Sequence, residues 1–198
     1  MTIVISTVRR YGLRIGGTAL DDETRFAMST RDPMAGAIEP NITTITTAPR
    51  AVTQEALVRC RRYRKENGLY GIVEPVRGRI LLEIGPVGAI TVPAALGAPI
   101  REYLTVRGHR GPIIGHPRSA RWTFLTGHVD ESATDAAIAS DMFHRCAALV
   151  APGTTIVLPS PADERTGYRV WIDSPHSDYR PELAEVLTAT RQCRPDPY

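Results

Sequence analysis

Apolar and polar positions along this chain alternate in short, β-like runs and fall into a helical period in only a few places. "TIVIS" (2–6) is a β-branched strand candidate, and "RYGLRIGG" (10–17) extends the pairing toward a Gly16-Gly17 turn. "MSTRDPMAGAIEP" (28–40) has the composition of a loop, and "NITTITT" (41–47) is β-branched enough to form another strand. The first clear helical period covers 53–67. Thr53 is placed to cap it, Glu55 lies in its first turn, and arginines with Lys65 fill its end before Gly68. Ala56, Cys60 and Tyr63 share one face of that helix, which leaves Arg59, Arg61, Arg62, Arg64 and Lys65 mostly outward.

Beyond residue 77 the pattern becomes regular. "GRILLEIG" (78–85) and "GAITV" (88–92) are two strands that the tight "GPVG" connection predicts to be a hairpin. "PAALGAPIREYL" (93–104) is helical, with Pro93 as a starting residue and Pro99 restarting it after Gly97. "GPIIGH" (111–116) and "RWTFLT" (121–126) form a strand pair, and the longest helical run is 130–150, with Asp130 or Ser132 as its cap. "TTIVLPSP" (154–161) and "GYRVWI" (167–172) are a further pair joined by a polar loop, "ADERT". A last helix covers about 180–193, and "RPDPY" is a frayed tail. Helices thus alternate with antiparallel ribbons, which predicts an α+β fold rather than a doubly wound parallel sheet. Residues 1–50 are expected to be peripheral strands and loop, and 51–198 the main domain.

Composition agrees with this. The 198 residues include 42% hydrophobic and 23% charged side chains, a globular balance with enough chain for one sizeable core. Sixteen glycines and sixteen prolines favour many short strands and turns. A net charge of +3, carried almost entirely by arginine, permits a nucleic-acid partner without demanding one. The cysteines Cys60, Cys146 and Cys193 are far apart, odd in number and without CxxC spacing, so the expectation is a reduced, cytoplasmic protein with no cysteine zinc site. No charged leader precedes a long apolar core, and nowhere do about 18 apolar residues run together, so neither a secretion signal nor a membrane span is expected.

Two stretches offer candidate chemistry. "RCRRYRK" (59–65) interleaves a tyrosine with arginine forks suited to phosphate, although a solvated helix end complementing the helix dipole has the same composition. "HPRSARW" (116–122) offers His116, Arg118, Ser119 and Arg121 as anion donors and Trp122 as a stacking face; the alternative is that Trp122 and Phe124 alternate into the core while Arg118 is merely exposed. Asp141 with His144, and Asp173 with His176 and Asp178, have spacings that a metal can use but that surface charge more often explains. No G-x-S-x-G, G-x-G-x-x-G or G-x-x-x-x-G-K-[ST] pattern occurs, which argues against an α/β-hydrolase, Rossmann or P-loop site.

"GAITVPAALGAPIREYL", "HPRSARWTFL" and "GTTIVLPSPADERTGYRVWI" occur in an order and spacing that resemble the N-terminal domain of bifunctional DNA primase-polymerases. The likeness is to the small stand-alone actinobacterial type, within the archaeo-eukaryotic primase superfamily, and covers about residues 68–193. It implies a primase-polymerase-like fold. In active members of the family an Asp-x-Asp pair and a third acid hold two divalent metals, and a histidine contacts the incoming nucleotide's phosphates. Here those positions fall on Thr91 and Pro93, near Ala147, and on Trp122, none of which supplies a carboxylate or an imidazole. The resemblance therefore implies a scaffold that has lost polymerase chemistry, with no catalytic residues, metal or cofactor of its own. It points to a DNA-, RNA- or nucleotide-binding module that contacts its ligand through the basic helix and the 116–122 turn. The competing expectation is a regulatory, protein-docking subunit of replication or transcription machinery. A third is an enzyme drawing its acids from elsewhere, such as Glu83, Asp173 or Asp178.

Overall fold

The computed structural model describes residues 47–129 and 136–195. The chain divides into two compact units, Met1–Pro40 and Asn41–Tyr198, and every described residue belongs to the second. The strands expected before residue 46 and the caps at Asp130 and Ser132 lie outside the described residues.

A long first helix, α1 (Thr47–Asn67), leads into β1 (Ile72–Glu74), β2 (Arg79–Glu83) and β3 (Gly88–Pro93). Helix α1 begins six residues before the sequence pattern places it and runs through residue 50, the expected domain boundary. Thr53 is inside the helix, and its hydroxyl donates to the Pro75 carbonyl at 2.8 Å rather than capping a terminus. Next come α2 (Ala94–Val106), β4 (Ile113–His116), a 3-10 turn at Pro117–Ser119, and β5 (Arg121–Thr126). Helix α2 is continuous: Pro93 is its N-cap, and Pro99 sits in its second turn without breaking it. The chain ends with α3 (Ala136–His144), β6 (Ala148–Leu149), β7 (Thr155–Leu158), α4 (Pro161–Arg165), β8 (Val170–Asp173) and α5 (Leu183–Gln192).

The class is α+β, with every strand pairing antiparallel. A small sheet has the order β1-β2-β7 and a larger one β6-β3-β5-β4-β8. The expected β4/β5 pair forms, with Ile114 opposite Thr123 and His116 opposite Arg121. Two other expected pairs do not. Strand β2 pairs with β7 in the small sheet, and β3 pairs with β5 and β6 in the large one, so "GPVG" carries the chain between sheets instead of closing a hairpin. Gly85 accepts from Val129 and Gly88 donates to Gly127, which ties that crossing to the end of β5. Likewise β7 and β8 lie in different sheets, and the stretch read as the loop "ADERT" is mostly α4. Ser160 and Asp163 close a capping box at its start.

Helices α2 and α5 pack on each other and against β3 and β5. Ile90, Val92 and Phe124 are buried within the core, with Leu96, Ile100, Leu104, Val186 and Leu187 supplied by the two helices. Trp122 belongs to this packing: a side chain at Gly97 of α2 would bring its Cβ within 2.6 Å of the indole ring. Helix α1 lies against β1, β2 and α4 and buries Ala56, Cys60 and Tyr63, the face its spacing selects. Among the described residues, no helix is long and apolar enough to cross a membrane.

Candidate functional site

Strand alternation and register assemble the site. Cross-strand partners on an antiparallel sheet project from the same face. One row therefore reads Thr91, Thr123, Ile114 across β3, β5 and β4, and the next reads Pro93, Arg121, His116. Trp122 and Phe124 point the other way, so β5 divides its side chains between the core and a cleft. That cleft, about 350 Å³, is lined by Thr91, Ile114, His116, Ser119, Arg121 and Thr123 on one side, by Thr155, Ile156 and Val157 of β7 on another, and by Arg169. Among the described residues, no carboxylate lines it.

Its polar groups are linked. The Thr123 hydroxyl lies 2.9 Å from His116 Nε2 and 3.0 Å from the Thr91 hydroxyl, forming a His116–Thr123–Thr91 chain. Arg121 donates through one terminal nitrogen to the carbonyls of Thr91 and Cys146, at 3.2 and 2.8 Å. Those acceptors are neutral, so the guanidinium is fixed in place and keeps its full charge. Arg169 reaches Asp163 of α4 at 3.3 Å, and its Nε is buried with no hydrogen-bond partner. Such an unpaired donor costs about 1–3 kcal/mol unless something accepts from it. Burial, and then the positive field of Arg169 and Arg121, push the His116 pKa below its ordinary value, so the imidazole is mostly neutral at pH 7.

The turn above this cleft carries backbone strain. Ala120 closes the 3-10 turn in the left-handed region, φ 48° and ψ 45°, where glycine is the favoured residue. Its carbonyl accepts from the Ala94 amide, which pins the turn to the start of α2. Arg118 is exposed and lies over the Tyr168 ring at 4.8 Å, outside the cleft lining, whereas Ser119 is part of that lining. Trp122, expected as a stacking face, packs on Gly97 instead.

The basic helix is arranged differently. Arg59 pairs with Glu164 of α4 at 3.1 Å and donates to the Tyr63 hydroxyl. Arg62 pairs with Glu66, and Arg64 donates to the Gly71 carbonyl while lying over the Tyr70 ring. Of the five, Arg61 and Lys65 remain exposed with neither an ion-pair nor a hydrogen-bond partner among the described residues, and Arg64 has no ion pair. None of the five lines the cleft.

The acids weighed as unconventional catalysts are placed as follows. Asp173 is buried and takes Arg101 at 2.6 Å and Arg110 at 2.5 Å. Burial alone would raise its pKa, but those two guanidinium hydrogen bonds outweigh it and hold the carboxylate below its ordinary range. Both of its oxygens are thereby committed to structure. Asp141 pairs with Arg191 rather than His144, and Glu83 and Asp178 are exposed and away from the cleft.

Sequence reasoning missed Arg169, Thr91 and Thr123 as cleft residues. Thr123 was accessible from its alternation with Arg121 in β5. Arg169 was not, because its position depends on β8 joining β4 across the sheet.

No protein-family model matches the chain, no curated protein matches it, and no solved structure matches it.

Proposed function

We propose that this chain is a nucleotide- or nucleic-acid-binding module without polymerase activity of its own, and that phosphate sits in the cleft between its two sheets. One observation carries the reading: Arg121, Arg169 and His116 converge on a cleft with four hydroxyls and, among the described residues, no lining carboxylate. Anions are held where charged donors are preorganised and no acid competes for them. The likeness to primase-polymerase domains supports the same place, since Thr91, at the first aspartate position of that pattern, lines the cleft. With threonine at 91 and proline at 93 there are no carboxylate oxygens there to gather magnesium.

The test is binding of labelled single- and double-stranded DNA and of nucleotides across a salt series, with and without magnesium. The expected result is an affinity that weakens with salt and falls when Arg121 becomes alanine. Magnesium-dependent extension of a primer would overturn the absence of catalysis. A protein-docking role is the second reading, favoured by one observation. Phe143 is 79% exposed, and an apolar groove runs along Ile138, Met142 and Leu149 beside it. Under that reading no salt-dependent nucleotide or nucleic-acid binding is seen.

A further inference from the structure

Resting on the binding role just proposed, we infer that the cleft takes a phosphate monoester, meaning the terminal phosphate of a mononucleotide or of a strand end, rather than a phosphodiester inside a strand.

The first argument is charge. Arg169 shares its charge with Asp163, whereas Arg121 is fixed by neutral carbonyls alone, so the empty cleft presents about one uncompensated positive charge. A phosphodiester, with one negative charge, is already matched by Arg121. A monoester carries up to two negative charges, with a second pKa of about 6, and is matched only when a second cation forms. His116 is placed to become that cation. It faces Arg121 from β5 and Arg169 from the start of β8, with Asp163 behind Arg169. These arginines oppose its protonation while the cleft is empty, and a dianion between them reverses that opposition.

The second argument is hydrogen-bond direction. An imidazolium donates from both nitrogens, so once His116 is protonated its Nε2–H must donate to Thr123. Thr123 is then free to donate to Thr91, which leaves the Thr91 hydroxyl proton available to an oxygen in the cleft. Three terminal oxygens use such a donor set more fully than the two unesterified oxygens of a diester.

The third argument is the lack of a track among the described residues. A strand bound along its backbone needs cations at successive phosphates. On α1, Arg59, Arg62 and Arg64 already hold partners within the protein, and Arg118 lies over Tyr168.

The experiment compares AMP with its methyl ester, and a 3′-labelled oligonucleotide bearing a 5′-phosphate with its 5′-hydroxyl twin, by calorimetry at pH 7 in buffers of different ionisation enthalpy. Expected are at least tenfold tighter binding of AMP, or of the phosphorylated strand, than of its partner compound, and net proton uptake that disappears in His116→Gln. AMP binding alone identifies a free nucleotide as the source, and phosphorylated-strand binding alone a strand end; either sustains the monoester. Equal affinities within each pair, still reduced by Arg121→Ala, overturn the monoester and leave the binding role standing. If nothing binds the unaltered protein, both fall. The phosphorus resonance of AMP titrated with unaltered protein shows whether the phosphate itself is held, independently of any variant's folding.

Discussion

Two arginine-rich stretches lie in the same compact unit and do opposite things with their charge. "RCRRYRK" in α1 is the denser of the two in sequence. Yet Arg59 is held by Glu164 and the Tyr63 hydroxyl, Arg62 by Glu66, and Arg64 by a backbone carbonyl. "HPRSAR" contributes fewer cations to its site, and Arg121 keeps its charge because only neutral carbonyls touch it. Counting cations along a sequence therefore misleads. What decides availability is whether the fold supplies acceptors, and above all carboxylates, to the same donors.

The strongest way to break this comparison is to remove one cation set at a time and measure nucleotide or oligonucleotide binding at constant salt. Arg121→Ala removes a charged donor from the cleft and is expected to weaken binding by roughly 10- to 100-fold, the range of a charge-assisted hydrogen bond worth about 1.5–3 kcal/mol. Replacing Arg61, Arg62 and Lys65 together with alanine is expected to weaken it by less than about threefold, because those residues offer only screened surface charge. The reverse ranking would return the binding face to α1.

Stability is where α1 should matter. The Tyr63 hydroxyl donates to the Pro159 carbonyl and accepts from Trp171 Nε1, both at 2.8 Å, so it joins α1 to β8 and to the chain entering α4. Tyr63→Phe leaves a buried carbonyl and an indole N–H without that partner and is expected to cost about 2 kcal/mol in denaturant unfolding, with ligand affinity unchanged. A variant as stable as the parent would show that this end of the helix is not structural.

Legibility followed the range of the interactions involved. Helix α1, α2, the β4/β5 ribbon and the α+β class were readable because each depends on periodicity or a short connection. The β2/β3 hairpin was misread because Ile80, Leu82, Ala89, Ile90 and Val92 are all buried, and an apolar strand does not name its partner. Helix α4 was missed although Ser160 and Asp163 have the spacing of a capping box, since the prolines at 159 and 161 look like a loop. Of the cleft, the "HPRSAR" side was legible in sequence. Arg169 and the β7 wall were not, because pairings across more than 30 residues bring them there.

Acidity sharpens the comparison further, since the cleft contains His116, whose pKa burial and then the field of Arg169 and Arg121 hold below its ordinary value. With the His116 pKa below 6.5, affinity for a monoester is expected to rise as pH falls from 8 toward about 6.5, by at most about tenfold per pH unit for one proton taken up. It then declines as the ligand's own second ionisation, near pH 6, is lost. Folding stability has the opposite sign. Protonation of His116 favours the unfolded chain, so its contribution falls as pH drops below 6.5 and levels off below the folded pKa. His116→Gln should flatten both profiles, while the α1 substitutions should leave both as they are.

The smallest effect expected concerns the turn that carries Ser119 into the cleft. Ala120 sits at φ 48°, and a Cβ in the left-handed region costs about 1–2 kcal/mol. Glycine removes that strain but gains freedom in the unfolded chain, so Ala120→Gly should stabilise the protein by only about 0.5–1 kcal/mol, read as a small rise in the denaturation midpoint. The same substitution loosens the segment between His116 and Arg121, whose fixed spacing the site depends on. Binding should therefore weaken slightly, by about twofold, even as the fold becomes more stable. Parallel gains in stability and affinity would mean that the strain at Ala120 does nothing for the site, and that β4 and β5 alone hold His116 and Arg121 in place.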